Sequence, residues 1–194
     1  MRVCVFCGSS AGRSPRYTEA AVALGELLAR EKIGLVYGGA TVGLMGVVAD
    51  TVARHGGEVI GVIPRSLEAK EIAHRGLSEL RVVGSMHERK ATMAELSDAF
   101  VAMPGGIGTL EELFEIWTWS VLGLHQKPCA LFDVDGFYSQ LTSFLDFVVQ
   151  EGFLRPVHRA LLRMDSDPER LLAALREPPP DGAATGKWID PHET

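Results

Sequence analysis

Few cysteines, few aromatic residues and no excess of basic charge set the first limits on this 194-residue sequence. The three cysteines, Cys4, Cys7 and Cys129, are too sparse for a disulfide framework and fit a reducing, cytoplasmic compartment. Cys4 and Cys7 form a C-x-x-C motif, but no second pair completes a zinc site, so they predict two separate core residues. The net charge of −6 argues against nucleic acid or an anionic membrane as a partner, because both attract basic surfaces.

Long hydrophobic segments are also absent from the sequence. The N-terminal segment reaches a Gly-Ser-Ser turn after only a few apolar positions, which is too short for a secretory or membrane-spanning segment. No spacing of His, Cys, Asp and Glu suggests a metal ion, and no lysine lies in a recognisable Schiff-base context for pyridoxal phosphate. We therefore expect a cytoplasmic protein that uses neither a metal ion nor a cofactor.

Short apolar runs that end in glycine or proline alternate with helical patterns along the chain. The runs predict strands at Arg2–Phe6, 33–37, 58–63, 80–83, 99–103 and 128–132. Apolar residues at helical spacing predict helices at Pro15–Arg30, 42–55, Met86–Leu96, 109–122 and 137–150, with short elements following to about residue 176. This alternation predicts an α/β fold, a single-domain Rossmann-like three-layer sandwich with a mainly parallel sheet and helices on both faces. The predicted nucleotide-binding domain spans residues 1–176, and the tail 177–194, rich in proline, glycine and charge, is expected to be flexible.

Three glycine-rich turns follow predicted strands, at residues 8–10, 38–43 and 104–109. Ligands of an open parallel sheet bind at the carboxyl ends of its strands, where these turns lie. Backbone amides freed by small residues, together with a helix N-terminus, can hold an anion without net positive charge. One such turn is equally well explained by sterics, but three at one sheet edge favour a binding role. The absence of a G-x-G-x-x-G motif in the first turn and of a Walker sequence favours a mononucleotide over NAD or ATP.

Two segments with charged side chains accompany these turns. M-H-E-R-K follows Ser85 at the start of one predicted helix, and P-G-G-I-G-T-L-E-E begins the next. Together they resemble the P-G-G-x-G-T-x-x-E signature of the Lonely Guy family, cytokinin riboside 5′-monophosphate phosphoribohydrolases once labelled lysine decarboxylases. C-V-F-C-G-S-S, Y-G-G-A-T-V-G-L-M-G and G-V-I-P-R-S-L also occur in the family's order, so the resemblance covers residues 2 to about 165.

This resemblance implies hydrolysis of the N-glycosidic bond of N6-substituted AMP, and of AMP as a further candidate, to free base and ribose 5-phosphate. It also implies a homodimer with active sites near the subunit boundary. Trp117 and Trp119, on the helix behind the motif, are expected in the core or in a dimer face.

By position, the resemblance assigns the essential arginine and glutamate to Arg89 and Glu112, with Glu111 as a competitor for a catalytic or ribose-binding role. A carboxylate near the sugar would stabilise the oxocarbenium-like transition state while water attacks. Lys90 is expected to contact a phosphate or hydroxyl, and Glu71 to approach the base or ribose unless it lies on a solvated loop. The predicted substrate-binding residues are Gly8, Ser9, Gly39, Gly43, Glu71, Met86, Lys90, Gly105, Gly106, Ile107, Gly108 and Thr109.

Two other functions remain open from the sequence. A nucleotide or molybdenum-cofactor carrier would share the sheet and the glycine turns, but binding alone would not require Arg89 with the Glu111–Glu112 pair. A lysine decarboxylase would need pyridoxal phosphate, for which the sequence offers no site. The motif pair therefore favours the hydrolase.

Overall fold

One seven-stranded sheet organises the chain in the computed structural model, which describes residues 1–68 and 73–180. The strands are β1 (Arg2–Phe6), β2 (Gly34–Tyr37), β3 (Val59–Pro64), β4 (Glu79–Val83), β5 (Ala99–Ala102), β6 (Cys129–Phe132) and β7 (Leu162–Asp165). Every neighbouring pair is parallel, and the order across the sheet is β4-β3-β2-β1-β5-β6-β7. The predicted α/β fold with a parallel sheet is confirmed.

Helices cover both faces of this sheet. They are α1 (Pro15–Arg30), α2 (Gly43–Arg54), α3 (Arg65–Glu68), α4 (Met86–Leu96), α5 (Ile107–Val121), α6 (Ser139–Gln150), α7 (Pro156–Arg159) and α8 (Pro168–Ala174). Local sequence sets their ends: Ser14 caps α1 by accepting from the Arg16 amide, and Pro15 supplies the fixed φ that suits a first turn. Ser85 caps α4 in the same way through the Glu88 amide.

Alternating side chains of the strands divide the core into two layers. In β1, Val3 and Val5 pack with α1, α2 and α8, whereas Cys4 and Phe6 pack with α4, α5 and α6. A core layer forms on each face of the sheet, because the helices that connect parallel strands cover both faces.

The cysteines confirm their predicted role as separate core residues. Cys4, Cys7 and Cys129 are free and buried, and burial raises the pKa of all three thiols. They therefore stay protonated at neutral pH.

Some elements differ from the sequence-based predictions. The strand β7 was not among the six predicted, because only Leu162 of its four residues is buried and two of them are charged. Arg163 of this strand donates to the carbonyls of Glu177 and Pro178 at 3.2 and 2.6 Å, which places the start of the predicted tail against the sheet edge. The rest of that tail, 181–194, and the predicted ligand Glu71 lie outside the described residues. Across the two described ranges, no helix combines the length and apolarity that crossing a bilayer would need.

The strand order reverses between β1 and β5, and this reversal positions the site. Chain connections leave β1 and β5 toward opposite sides, which opens a crevice above their carboxyl ends. The two following loops meet there, since the Gly8 amide donates to the Pro104 carbonyl at 3.1 Å. The first and third glycine turns are therefore neighbours in space.

Candidate active site

A cavity of about 380 Å³ lies over the carboxyl ends of β1 and β2, between the first turns of α4 and α5. Its lining residues are Val5, Phe6, Cys7, Ser9, Gly38, Met45, Leu67, Met86, Arg89, Gly106, Ile107, Gly108, Thr109, Glu111 and Glu112. The structure thus brings together nine residues proposed from the sequence, including both carboxylates and the arginine.

Two of the remaining predicted residues line a neighbouring cavity. Gly8 and Gly105 line a smaller cavity of about 210 Å³, which shares Ser9 and Gly106 with the main one. Among the residues described, Gly39, Gly43 and Lys90 line neither cavity.

Gly43 has a packing role that the sequence interpretation did not include. It adopts a φ of +57°, and a Cβ there would stand 2.3 Å from the Ser9 carbonyl carbon. Only glycine allows the first and second glycine turns to approach so closely.

Arg89 forms the cationic wall of the cavity although its side chain is almost fully buried. The residue is 5% exposed, and its guanidinium donates to the carbonyls of Val62 at 3.1 Å and Gly38 at 3.0 Å. A third contact joins Nη1 to the Met86 sulfur at 3.8 Å. These three partners are neutral, so they orient the guanidinium without cancelling its charge. A fixed cation beside a ligand cavity is suited to an anionic substrate.

Gly38 makes this placement of Arg89 possible. A Cβ on Gly38 would lie 2.1 Å from the Arg89 Nη2 atom, much closer than any real contact. The second glycine turn therefore serves the arginine directly, a role that sequence reasoning missed. The available signal was a glycine immediately after a buried strand, which often marks a close approach.

The third glycine turn positions the N-terminus of α5 at the cavity. Gly106 is the N-cap of this helix and offers no side chain for capping, so the amides of the first turn depend on other partners. Such amides, with the positive end of the helix dipole, favour a phosphate or carboxylate. Ile107 at the first helical position is 85% exposed and lines the same cavity.

The two carboxylates of the motif have different surroundings. Glu112 is half-buried, and its charge contributes, after burial, to the raised pKa of the Cys4 and Cys7 thiols beneath it. It therefore lies over the end of β1. The Glu111 side chain is about half exposed, and its Oε1 accepts from Lys90 Nζ at 2.5 Å.

Lys90 is held by a pair of carboxylates on α5. Its side chain is 7% exposed, and Nζ lies 2.5 Å from Glu111 Oε1 and 2.6 Å from Glu115 Oε2. Burial alone would lower the pKa of Lys90, but the two carboxylates outweigh it and raise that pKa. The ammonium is thus charged and already paired, so a phosphate contact would require it to leave these partners. Glu115 was not identified from the sequence, although it stands one helical turn after Glu111.

Apolar side chains complete the cavity on the side of α2, α3 and α4. Met45, Leu67 and Met86 line it beside Arg89. Flexible thioethers pack well against flat rings, so this side suits an aromatic base. No set of three or more His, Cys, Asp or Glu residues within the described ranges is grouped closely enough to hold a metal ion.

A parallel α/β sheet with a glycine-rich helix N-terminus, a fixed arginine and two carboxylates at its switch point is typical of a nucleotide-binding type of protein. A family model described as "Possible lysine decarboxylase" matches residues 45–175. A cytokinin riboside 5′-monophosphate phosphoribohydrolase of Rhodococcoides fascians is 51% identical over 177 residues, covering 91% of this chain and 89% of the relative. One of Arabidopsis thaliana is 48% identical over 180 residues, covering 93% of this chain and 83% of the relative.

The chain therefore belongs to the Lonely Guy family of cytokinin riboside 5′-monophosphate phosphoribohydrolases, whose family model keeps the older decarboxylase label. Solved structures with the same fold are more distant in sequence. The molybdenum cofactor carrier protein of Chlamydomonas reinhardtii has a TM-score of 0.68 at 22% identity, covering 90% of this chain and 95% of that chain. The molybdenum cofactor binding protein of Rippkaea orientalis has a TM-score of 0.67, also at 22% identity, covering 90% and 94%. This likeness concerns the fold alone.

Proposed function

We propose that this chain hydrolyses the N-glycosidic bond of cytokinin riboside 5′-monophosphates, and of AMP, to free base and ribose 5-phosphate. The observation that carries the proposal is that Arg89, Glu111 and Glu112 face one cavity with the glycine-rich start of α5. Binding alone needs the glycine turn and a cation. Two carboxylates in the same cavity oppose the binding of a phosphate, so their presence favours a role in the reaction.

In this proposal, the phosphate of the substrate binds to the amides that begin α5, at Gly106, Ile107 and Gly108. This anchor directs the ribose toward the carboxylates and the base toward the apolar side with Met86. As the bond from C1′ to the base nitrogen breaks, positive charge develops on the sugar, and Glu112 stabilises it. Water adds to C1′ and loses one proton, and the base nitrogen gains one proton as it leaves, so that the net reaction adds OH to the sugar and H to the base. Arg89 holds the nucleotide, and Glu111 accepts from a ribose hydroxyl.

The decarboxylase label finds no support in the site. A lysine that forms a Schiff base must reach its neutral form easily, usually through desolvation or a neighbouring cation. Lys90 has the opposite environment, since two carboxylates stabilise its ammonium. We therefore assign it an electrostatic role within the protein.

We also propose a cytoplasmic homodimer that forms through the surface around α5 and α6. Phe153 is 86% exposed and Leu124 69%, and Phe144 and Phe147 on α6 are also exposed. An apolar cluster of this kind favours contact with another protein surface. Trp117 itself is buried, and its indole donates to the His158 carbonyl at 3.0 Å, so it supports this surface from beneath. Light scattering that gives the mass of one chain would exclude the dimer.

The direct test of the activity is release of base from isopentenyladenosine 5′-monophosphate and AMP, followed by chromatography without added metal or pyridoxal phosphate. We expect free base from both, faster from the isopentenyl nucleotide. The dephosphorylated nucleosides are the control and should not react, since they lack the anchoring group. Tight nucleotide binding without any base release would instead support a carrier.

A valine at Gly106 is expected to abolish nucleotide binding without unfolding the protein. A Cβ at this position meets no atom within 4 Å and the backbone φ of −91° suits any residue, so the substitution fits the fold. Its branches would project where the phosphate must approach the amides. Calorimetric titration with AMP measures the loss, which we expect to exceed about 100-fold, the effect of losing two charge-assisted hydrogen bonds.

Gly106→Ala provides the graded control, with a smaller loss of affinity. Thermal melting should show both variants folded. If Gly106→Val bound AMP with wild-type affinity, the phosphate would not bind at the Gly106 amide.

A further inference from the structure

Glu115 belongs to a charged cluster that reaches the cavity only through its neighbours. It lies on α5 one turn after Glu111, and both carboxylates contact the ammonium of Lys90 from α4. Among these three residues, only Glu111 lines the cavity. One residue of the cluster therefore lines the cavity, and the other two contact that residue or each other outside the cavity.

The geometry of the Lys90 side chain makes this cluster stiff. A long lysine side chain normally samples many rotamers, but this one is 7% exposed and its ammonium is fixed between two oxygens. The Glu115 Oε2 atom lies at ion-pair distance, is buried, and has no well-aligned hydrogen bond, so its contact with Lys90 is electrostatic. Glu115 is less exposed than Glu111, at 27% against 52% of the side chain, and is the more firmly placed partner.

The charges in the cluster also matter. Two carboxylates one helical turn apart repel each other, and the ammonium between them removes that repulsion. With Glu115 present, Lys90 is shared between two partners and its position is defined from both sides. Without Glu115, the ammonium would follow Glu111 and both side chains would gain freedom.

We propose that Glu115 is a positioning residue of the hydrolase: through Lys90 it fixes the Glu111 carboxylate at the cavity wall for a ribose hydroxyl. This inference rests on the proposed function. Hydrogen bonds from an enzyme to sugar hydroxyls near the reacting carbon strengthen in the transition state, so a loosened Glu111 should slow turnover more than it weakens binding.

The test is a double-mutant cycle with Glu115→Gln, Lys90→Met and the double variant, measuring kcat and KM for isopentenyladenosine 5′-monophosphate. We expect each single change to lower kcat about tenfold with KM changed less than about twofold, as for loss of an interaction made mainly in the transition state. The double variant should be no slower than Lys90→Met, because Glu115 acts only through Lys90. Glu115→Asp should restore much of kcat, because it keeps the second negative charge that holds the Lys90 ammonium between two carboxylates.

Glu169→Gln is the matched control, because it breaks an ion pair of similar length, 2.6 Å to Arg30, on the opposite face of the sheet. It should keep wild-type kcat. A purely structural role would lower the melting temperature of Glu115→Gln while kcat stayed normal, and that result would overturn the proposal. Losses of kcat that multiply in the double variant would also overturn the proposal. If Lys90→Met does not fold, the kcat values of Glu115→Gln and Glu115→Asp test the proposal. Wild-type protein that releases no base would instead refute the hydrolase function, and the positioning role with it.

Discussion

Glu112→Gln is expected to bind AMP with nearly normal affinity and to lose base release by about 10³-fold, the scale seen when one transition-state stabiliser is removed. Glutamine keeps the shape of the side chain and removes the charge that would face the cationic sugar. Glu112 is half-buried over the end of β1, where a charge acts more strongly than in water. Single-turnover base release and calorimetric titration with AMP separate the two effects.

The neighbouring Glu111→Gln is the matched control for this experiment. It removes the same charge from the same cavity, but from the carboxylate that is paired with Lys90. We expect a smaller loss of turnover there, similar to that of Glu115→Gln. If Glu111→Gln were inactive and Glu112→Gln active, Glu111 and not Glu112 would be the carboxylate that stabilises the cationic sugar.

Arg89→Ala should cause a comparable loss of turnover together with weaker nucleotide binding. The substitution removes the fixed cation and leaves the carbonyls of Gly38 and Val62 without their donor. Unpaired buried carbonyls cost about 1–3 kcal/mol each, so stability should fall as well. Melting temperature, AMP affinity and base release are therefore measured on the same preparation.

Arg89→Lys separates charge from geometry at this position. Lysine keeps the cation but lacks the planar fork that reaches two carbonyls at once, so we expect little recovery of turnover. Arg30→Ala, at an exposed ion pair on the opposite face of the sheet, should leave activity unchanged. Near-normal base release by Arg89→Ala would remove the arginine from the mechanism.

Most of the sheet could be predicted from sequence because the central strands are buried on both faces and appear as continuous apolar runs. Five of the six predicted strands overlap four- to six-residue strands whose residues are nearly all buried. The edge strands carry a weaker signal. In β7, Leu162 is buried but Met164 is 43% exposed, and charged residues alternate with them, so no apolar run marks the strand.

The residues that line the cavity could be predicted where a contiguous motif contains them. They could not be predicted where the contact depends on how two distant segments pack. Arg89, Ile107 and Glu112 lie in two contiguous motifs, and all three line the cavity. The pairing of Lys90 with Glu115 depends on how α4 and α5 pack, which no local pattern encodes. The contributions of Met45 and Leu67 likewise depend on the turns that bring α2 and α3 to the same edge.

The burial of Arg89 also bears on how this acidic protein responds to salt. Ions in solution screen surface charges strongly, but they act far less on a charge that protein atoms surround. Proteins that collect phosphate groups on lysine-rich surfaces lose affinity steeply as ionic strength rises. Here the enclosed guanidinium of Arg89 lines the cavity, while the chain as a whole carries a net charge of −6. Nucleotide affinity should therefore change little between dilute buffer and physiological ionic strength.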